Sequence, residues 1–80
     1  MPTIFRQGGF EIRIRTDDHN PPHVHVLKAG EEIVILLGLG FDDPQIRENR
    51  GMRRPNIRRA MDLVNDNNDM LFTEWRKIHK

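Results

Sequence analysis

The sequence predicts an α+β fold in which a small antiparallel sheet of three to four strands precedes a long or bent C-terminal helical segment. Apolar and polar residues alternate over short runs in the first half of the chain, which is the period of β-strands. The connections between these runs are short, and short connections favour a meander of neighbouring antiparallel strands. After Pro55 the apolar period becomes helical. Eighty residues suit a single domain over 1–80.

The turn signals between the apolar runs divide the first half of the chain into four strands. Gly8 and Gly9 supply the positive φ angles that a tight hairpin turn needs after the first strand. Residues 38–44 are rich in glycine and aspartate and predict a loop, and a further brief strand or turn before Arg50 stays open. The predicted strands are 3–6, 10–15, 23–28 and 33–37, the last of them apolar on both faces.

A helical stripe of apolar side chains runs through the C-terminal third of the chain. Pro55 suits the first turn of a helix, because the N–H that proline lacks has no partner there. The polar run 65–69 interrupts the stripe without changing its register. We favour one helix with a weak middle, and two consecutive helices are also compatible. The length of the stripe in so small a domain favours a homodimer. The stripe consists of Ile57, Ala60, Met61, Val64, Leu71, Trp75 and Ile78.

Three of the four histidines lie within the seven residues 19–25. Pro21 and Pro22 exclude helix in this segment, because each proline ring fixes φ and restricts the residue before it. The alternation that follows has the period of a strand, so His23 and His25 share one face while the intervening valines face the core. His19 lies in the preceding turn. The sequence therefore predicts two imidazoles side by side on a rigid element, with a third nearby.

Arginines are concentrated in one segment of a chain that is nearly neutral overall. Thirteen lysine and arginine residues face twelve acidic residues, but residues 44–61 contain six arginines and one acid, Glu48. Arginine binds phosphate and carboxylate groups in a bidentate manner that lysine cannot reproduce. The segment predicts a surface that binds anions, such as RNA phosphates or an acidic protein partner.

The histidines and arginines together suggest acid–base chemistry on a phosphodiester. Imidazole takes up and releases protons near neutral pH, so one histidine of the pair would remove a proton while the other protonates the leaving oxygen. The candidate catalytic residues are His23, His25 and His19, with His23 and His25 as the acid–base pair and His19 as an orienting or ligand residue. A ribonuclease-like reaction also needs a positive clamp for the phosphate. The candidates for this clamp are Arg13, Arg15, Arg50, Arg53, Arg54 and Arg58.

Two alternatives use the same histidines differently. The first is a non-catalytic binding or regulatory module that holds a divalent transition metal such as zinc through His19, His23, His25 and Asp18. The ribonuclease hypothesis itself requires no cofactor. The second alternative is structural, with the prolines forming a rigid turn to whose backbone the histidines bond. The structural alternative explains the prolines but accounts poorly for three clustered histidines.

The chain lacks the sequence features of secreted and membrane proteins. It contains no cysteine, which fits a reducing compartment. Its first residues do not form a basic region followed by an apolar stretch, and its longest apolar run, 33–37, is far shorter than the roughly 18 residues of a membrane helix. We therefore expect a cytoplasmic protein without a membrane partner.

Several segments, taken in order along the whole chain, resemble a small prokaryotic family called domain of unknown function 4160. The segments are 1–6, 18–26, 48–52 and 74–79, of which His-Asn-Pro-Pro-His-Val-His-Val at 19–26 is the most specific. The resemblance implies a gene neighbour of the domain of unknown function 2442 type, in an arrangement similar to a type II toxin–antitoxin pair. This chain would be the toxin-like component, and its partner would be the small antitoxin-like protein.

Overall fold

The computed structural model describes residues 3–39 and 42–79. These residues form five strands and two helices: β1 (Thr3–Gln7), β2 (Phe10–Arg13), β3 (His23–Lys28), β4 (Glu31–Leu36), β5 (Gln45–Arg50), α1 (Arg54–Asp66) and α2 (Asn68–Ile78). The strands make one sheet in chain order, and every neighbouring pair is antiparallel. The α+β fold and the meander are confirmed, and the sheet has one strand more than the upper end of the prediction.

The additional strand is β5, at one edge of the sheet. All six of its residues are exposed, so it lacks the apolar alternation by which the other strands are recognised. Its ladder with β4 pairs Glu48 with Val34 and Ile46 with Ile35, which leaves Arg47 as an extra residue. Such a β-bulge bends the strand and redirects the side chain of the inserted residue. Of the predicted loop before β5, residues 40 and 41 lie outside the described part of the chain.

The hydrophobic core lies between one face of the sheet and the two helices. Val24 and Val26 on β3 are fully buried, as the strand alternation predicts. Burying a valine or isoleucine side chain contributes roughly 1.5–3 kcal/mol, so this face supplies much of the stabilisation of a small domain. The core side chains are Phe10, Ile12, Ile14, Val24, Val26, Ile33, Ile35, Leu37, Met52, Ala60, Leu63, Val64, Leu71 and Trp75.

The helical segment consists of two helices rather than the single helix that we favoured. Asn67 separates them with φ −117° and ψ 15°, which are not helical values. The side chain of Asn68 accepts a hydrogen bond from the Gly38 N–H (2.8 Å) and donates one to the Gly38 carbonyl (2.9 Å). These two bonds tie the start of α2 to the end of the sheet. Neither described helix combines the length and the apolar composition that crossing a bilayer requires.

The start of α1 is held by a carboxylate from the sheet. No side chain caps this helix at its own N-cap residue, Arg53. Instead, Glu31 at the beginning of β4 accepts hydrogen bonds from the Arg53 backbone N–H (3.0 Å) and from the Asn56 side chain (3.2 Å). These bonds hold the pKa of the Glu31 carboxyl below its ordinary value. The contact fixes α1 relative to the sheet.

Candidate functional site

A tight turn after β2 places the carboxylate of Asp18 beside β3. The Asp18 N–H donates to the Arg15 carbonyl (3.2 Å), and the Arg15 N–H donates back to Asp18 Oδ2 (3.1 Å). Aspartate favours such turns because its short side chain bonds to nearby backbone groups. The chain then reaches β3 through the cis Asn20–Pro21 peptide bond. The Asp18 side chain is 11% exposed.

His23 and His25 lie on the face of β3 opposite the core valines, as the alternation predicts. Although they point away from the core, they are only 5% and 3% exposed. His25 pairs with Arg13 on β2 and with Val34 on β4. The ring of His23 contacts that of Trp75 on α2, with 5.2 Å between centroids. The two imidazoles are therefore buried polar groups, and their ring nitrogens need partners.

The ring of His23 is oriented by the backbone of the proline turn. Its Nδ1 lies 2.8 Å from the Pro21 carbonyl oxygen. A carbonyl oxygen only accepts, so the Nδ1 nitrogen carries the proton and donates it. The neutral ring then presents an unprotonated Nε2, and this atom faces Asp18 Oδ1 at 3.4 Å. Without a proton or a cation between them, a lone pair faces a carboxylate oxygen.

His25 lies between two carboxylates. Its Nδ1 donates to Glu32 Oε2 at 3.1 Å, and its Nε2 lies 3.1 Å from Asp18 Oδ2. Carboxylates only accept, whereas a neutral imidazole donates from one nitrogen. Both contacts of His25 are favourable only if Nε2 carries a second proton or binds a cation that Asp18 shares. The same requirement holds at His23.

The Nε2 atoms of the two histidines thus converge on one carboxylate. Asp18, His23 and His25 each contribute a ligand atom, and these three atoms lie within 4.8 Å of one another. Two imidazoles and one carboxylate suit zinc and other divalent transition metals. The bonds from both Nδ1 atoms to fixed acceptors are the arrangement that orients metal-binding histidines in proteins. The residues present therefore fit a metal ion.

Hydrogen bonds and nearby charges also shift the pKa of the Asp18 carboxyl group. Burial raises the pKa of this carboxyl group, but the hydrogen bonds from the Arg15 N–H and from His25, together with the positive charge that the two imidazoles carry when protonated, lower it more. The net effect holds the pKa of Asp18 below its ordinary value. Asp18 is therefore ionised at neutral pH, as a metal ligand must be.

The three residues line a cleft of about 280 Å³ that also contains three arginines. Arg50 donates to Glu48 and, at 2.9 Å, to Glu32. The bond to Arg50 lowers the pKa of the Glu48 carboxyl. The other two arginines are Arg15, in the turn after β2, and Arg47, on β5. The cleft is lined by Arg15, Asp17, Asp18, His19, His23, His25, Val34, Arg47, Glu48 and Arg50.

Comparison with known proteins places the chain in a family. A family model described as Domain of unknown function (DUF4160) matches residues 9–76. The chain belongs to this family. The match confirms the family that the sequence resembles, and it includes all residues of the cleft. No curated protein and no solved structure matches the chain.

The cleft of this DUF4160 protein contains only part of the predicted site. It brings His23 and His25 together with Arg15 and Arg50, from segments far apart in sequence. His19 also lines the cleft, but it is exposed and is not among the three clustered ligand residues. Asp18, predicted only as a metal ligand, is the residue that both imidazoles face.

The other predicted arginines lie outside the cleft. Arg13 pairs with Glu11 on its own strand at 2.6 Å. Arg53 is 84% exposed and pairs with Glu31. Arg54 and Arg58 are exposed on α1. The arginine-rich segment therefore divides between the cleft and an outer surface of α1.

Among the charged residues of the site, sequence reasoning missed Arg47 and Glu48, which line the cleft of the DUF4160 protein, and Glu32, which bonds to His25 beside it. Arg47 and Glu48 belong to β5, whose exposed edge has no apolar alternation. Glu32 precedes the apolar run of β4. It lies two residues before Val34, which pairs with His25, so its side chain is on the same face of the sheet as the histidines. Extending the predicted fourth strand to its observed start at Glu31 would have identified Glu32.

Proposed function

We propose that this protein binds a divalent transition metal through Asp18, His23 and His25. The observation that supports this function best is the convergence of three ligand atoms within 4.8 Å, at the base of an open cleft. Three protein ligands are typical of metal sites that keep a position open for water or another ligand. The proposed centre is therefore of the reactive or ligand-binding kind.

The surroundings of the histidines support a metal more than a purely structural role. A histidine that only fills space needs one hydrogen bond, whereas here both rings have an Nδ1 bond to a fixed acceptor and an Nε2 directed at Asp18. A cation at the shared position satisfies both Nε2 atoms and the carboxylate at once. This donor set of two imidazoles and one carboxylate suits zinc, cobalt, nickel and ferrous iron.

Titration of untagged, metal-free protein with cobalt(II) or zinc tests the proposal. Trp75 is the only tryptophan and its ring lies 5.2 Å from that of His23, so cobalt bound here should quench its fluorescence. We expect saturation at one ion per chain, displacement of cobalt by zinc, and a rise in melting temperature with metal concentration. Absence of saturable binding to the folded wild-type protein would overturn the proposal.

Matched histidine variants then locate the ion. His25→Ala should abolish stoichiometric binding, whereas His79→Ala removes an imidazole outside the cluster and should leave it unchanged. If His25→Ala fails to fold, His23→Asn replaces a second ligand with a side chain of similar polarity. His19→Ala decides whether a fourth protein ligand contributes. Stoichiometries come from elemental analysis, so loss of the stacking of His79 on Trp75 does not affect them.

A second candidate function is that of a toxin-like component acting on RNA, with a small antitoxin-like protein as its partner. The observation that favours it is that two histidines and three arginines line the same cleft. Asp18, however, lies where a phosphodiester would have to sit between the two Nε2 atoms. Direct acid–base catalysis by His23 and His25 therefore requires Asp18 to move away.

Growth of cells that express the protein without its neighbour tests this second candidate. A toxin should slow growth and degrade RNA, and coexpression of the antitoxin-like protein should restore growth. The double variant His23→Ala/His25→Ala should be harmless, with His79→Ala as the control that stays toxic. Equal toxicity of the wild type and the double variant would exclude histidine-dependent chemistry.

A further inference from the structure

We infer that the metal-loaded cleft binds a phosphate group, either free or as a phosphate ester, and that it does so only when the metal is bound. The inference rests on the proposed metal centre and names the class of ligand that completes it. Its support comes from unused hydrogen-bond donors, from the charge of the cleft and from the open position on the metal.

Arg47 supplies the first unused donors. Its Nη1 lies 3.3 Å from His23 Nδ1. That nitrogen already donates its proton to the Pro21 carbonyl at 2.8 Å and has no lone pair to offer. The Arg47 guanidinium makes no other hydrogen bond or ion pair with the described side chains. The β-bulge at this residue places a charged group with free donors beside the proposed centre.

Arg15 supplies another unused donor. It follows β2, whereas Arg47 is on β5, two strands beyond β3 in the sheet. Its Nε is buried and has no hydrogen-bond partner among the described residues. Its Nη2 is 3.6 Å from Glu32 Oε1, which is too long for a strong hydrogen bond. A buried donor without a partner costs about 1–3 kcal/mol, so Arg15 keeps hydrogen-bonding capacity that no described residue uses. Arg15 and Arg47 belong to the same cleft.

The charge of the cleft makes anion binding depend on the metal. The lining of the cleft has three carboxylates, those of Asp17, Asp18 and Glu48, and three guanidinium groups. Glu32, which bonds to His25 beside the cleft, adds a fourth carboxylate. The carboxylates and guanidinium groups of the cleft and Glu32 together therefore carry one net negative charge, which disfavours the binding of an anion. A divalent ion changes this to one positive charge. The bound metal thus converts the cleft from a cation site into an anion site.

Phosphate matches this arrangement better than a carboxylate does. A tetrahedral phosphate presents at least two free oxygens even as a diester, and three or more as a monoester or the free ion. One oxygen occupies the open metal position, while the others accept hydrogen bonds from the planar guanidinium groups. A carboxylate has only two oxygens and cannot serve the metal and both arginines equally. The cleft of about 280 Å³ suits a small anion rather than a large ligand.

Calorimetric titration of zinc-loaded and metal-free protein with inorganic phosphate tests the inference, and a dinucleotide serves as the phosphodiester probe. We expect saturable binding of one or both probes to the zinc-loaded protein, none to the metal-free protein, and weaker binding of acetate. Tighter binding of inorganic phosphate identifies free phosphate or monoesters as the ligand, and tighter binding of the dinucleotide identifies phosphodiesters. Either result supports the inference.

Arginine variants provide the matched controls. Arg47→Ala should weaken phosphate binding about ten- to a hundredfold, the effect of one hydrogen bond to a charged group. Arg47→Lys should restore it only in part, because lysine lacks the fork. Arg59→Ala removes an exposed arginine of α1 that lies outside the cleft and should have no effect. Equal effects of Arg47→Ala and Arg59→Ala would overturn the inference.

Failure of the inference and failure of the metal proposal give different results. If cobalt binds and quenches Trp75 but neither probe binds, the metal centre stands and the phosphate inference is wrong. If phosphate binds equally well with and without metal, the dependence on metal is wrong. If no metal binds at all, the inference falls together with the metal proposal.

Discussion

The imidazole of His25 shows how a single buried residue links folding to a site. Its two nitrogens face Glu32 and Asp18 at 3.1 Å, from β4 and from the turn after β2. Buried polar groups are tolerated only when they are bonded, so this ring joins three segments of chain. The contacts that hold the ring in place are also those that aim Nε2 at the proposed metal position.

Asp18 should make the stability of the metal-free protein depend on pH. Its pKa is lower in the folded state, so the ionised carboxylate stabilises the fold above its ordinary pKa near 3.8, and this contribution is lost as the pH falls further. Asp18→Ala, which removes the acceptor for the Arg15 N–H and for His25, should lower the free energy of unfolding by about 1–2 kcal/mol at pH 7 and by less at pH 3. Urea denaturation followed by Trp75 fluorescence measures both values. The same difference at both pH values would contradict the prediction.

At the residue scale, sequence reasoning predicted which histidines form the site, but it did not predict how their side chains are arranged. Period-two alternation was sufficient to place His23 and His25 on one face, because alternation is a local property of a strand. The burial of both rings and their convergence on Asp18 have two causes. The turn at 15–18 brings Asp18 back beside β3, and the register of β3 with its neighbours sets the positions of the rings. Register and turn closure are long-range properties that no local pattern contains.

At the scale of elements, the break between the helices is explained by a contact 30 residues away in sequence. The polar run 65–69 weakens the helix locally, but it does not by itself decide between a bent helix and two helices. Asn68 favours two helices, because the oxygen and the nitrogen of its side-chain amide both bond to the backbone of Gly38. A Cβ atom on Gly38 would lie 2.1 Å from the Asp42 carbonyl oxygen, so glycine is also required there.

Replacing Asn68 should loosen the attachment of α2 to the sheet. Asn68→Asp retains an acceptor for the Gly38 N–H but places an oxygen against the Gly38 carbonyl, and Asn68→Ala removes both bonds. We expect losses of about 1–3 kcal/mol in the free energy of unfolding, with the aspartate variant no more stable than the alanine variant. Asn65→Ala, at an exposed position of α1, is the control and should change stability by less than about 0.5 kcal/mol. Equal losses in Asn65→Ala would show that the bonds to Gly38 are unimportant.

β5 marks the limit of sequence-based prediction at this scale. The four predicted strands were recognised because each buries at least one apolar face or follows a clear turn. β5 contains only Ile46 as a large apolar residue, and that side chain is 47% exposed. Charged residues are common on edge strands because they prevent pairing with other chains. The charged composition that protects an edge strand from pairing with other chains also makes its sequence resemble that of a loop.

At the scale of the whole molecule, the two faces of one sheet have separate tasks. The valine face packs on the helices, while the histidine face forms the cleft. The helical stripe suggested a homodimer because so much apolar surface needs cover. In the structure, Leu71 and Trp75 are buried within the chain itself at 0% and 3% exposure. The stripe therefore no longer supports a homodimer, and dimer formation stays a prediction. Light scattering, which measures the molar mass in solution, tests it.

Trp75 connects the two faces, because it is both a core residue and a neighbour of His23. Truncating a buried tryptophan costs about 3–5 kcal/mol, whereas an 80-residue domain has a total stability of only about 4–12 kcal/mol. Trp75→Ala should therefore leave much of the protein unfolded at 37 °C. Circular dichroism measures the loss, since the variant has no tryptophan fluorescence.

Two further variants separate packing from the aromatic contact with His23. Phe72→Ala removes a half-buried aromatic side chain from the same helix and should be tolerated better than Trp75→Ala, because less apolar surface is exposed. Trp75→Phe keeps an aromatic ring against His23 and should retain the fold and bind metal with a modest loss of stability. If Trp75→Ala melts within a few degrees of the wild type, α2 does not complete the core. The histidine face would then have to be held by the sheet and by Asp18 alone.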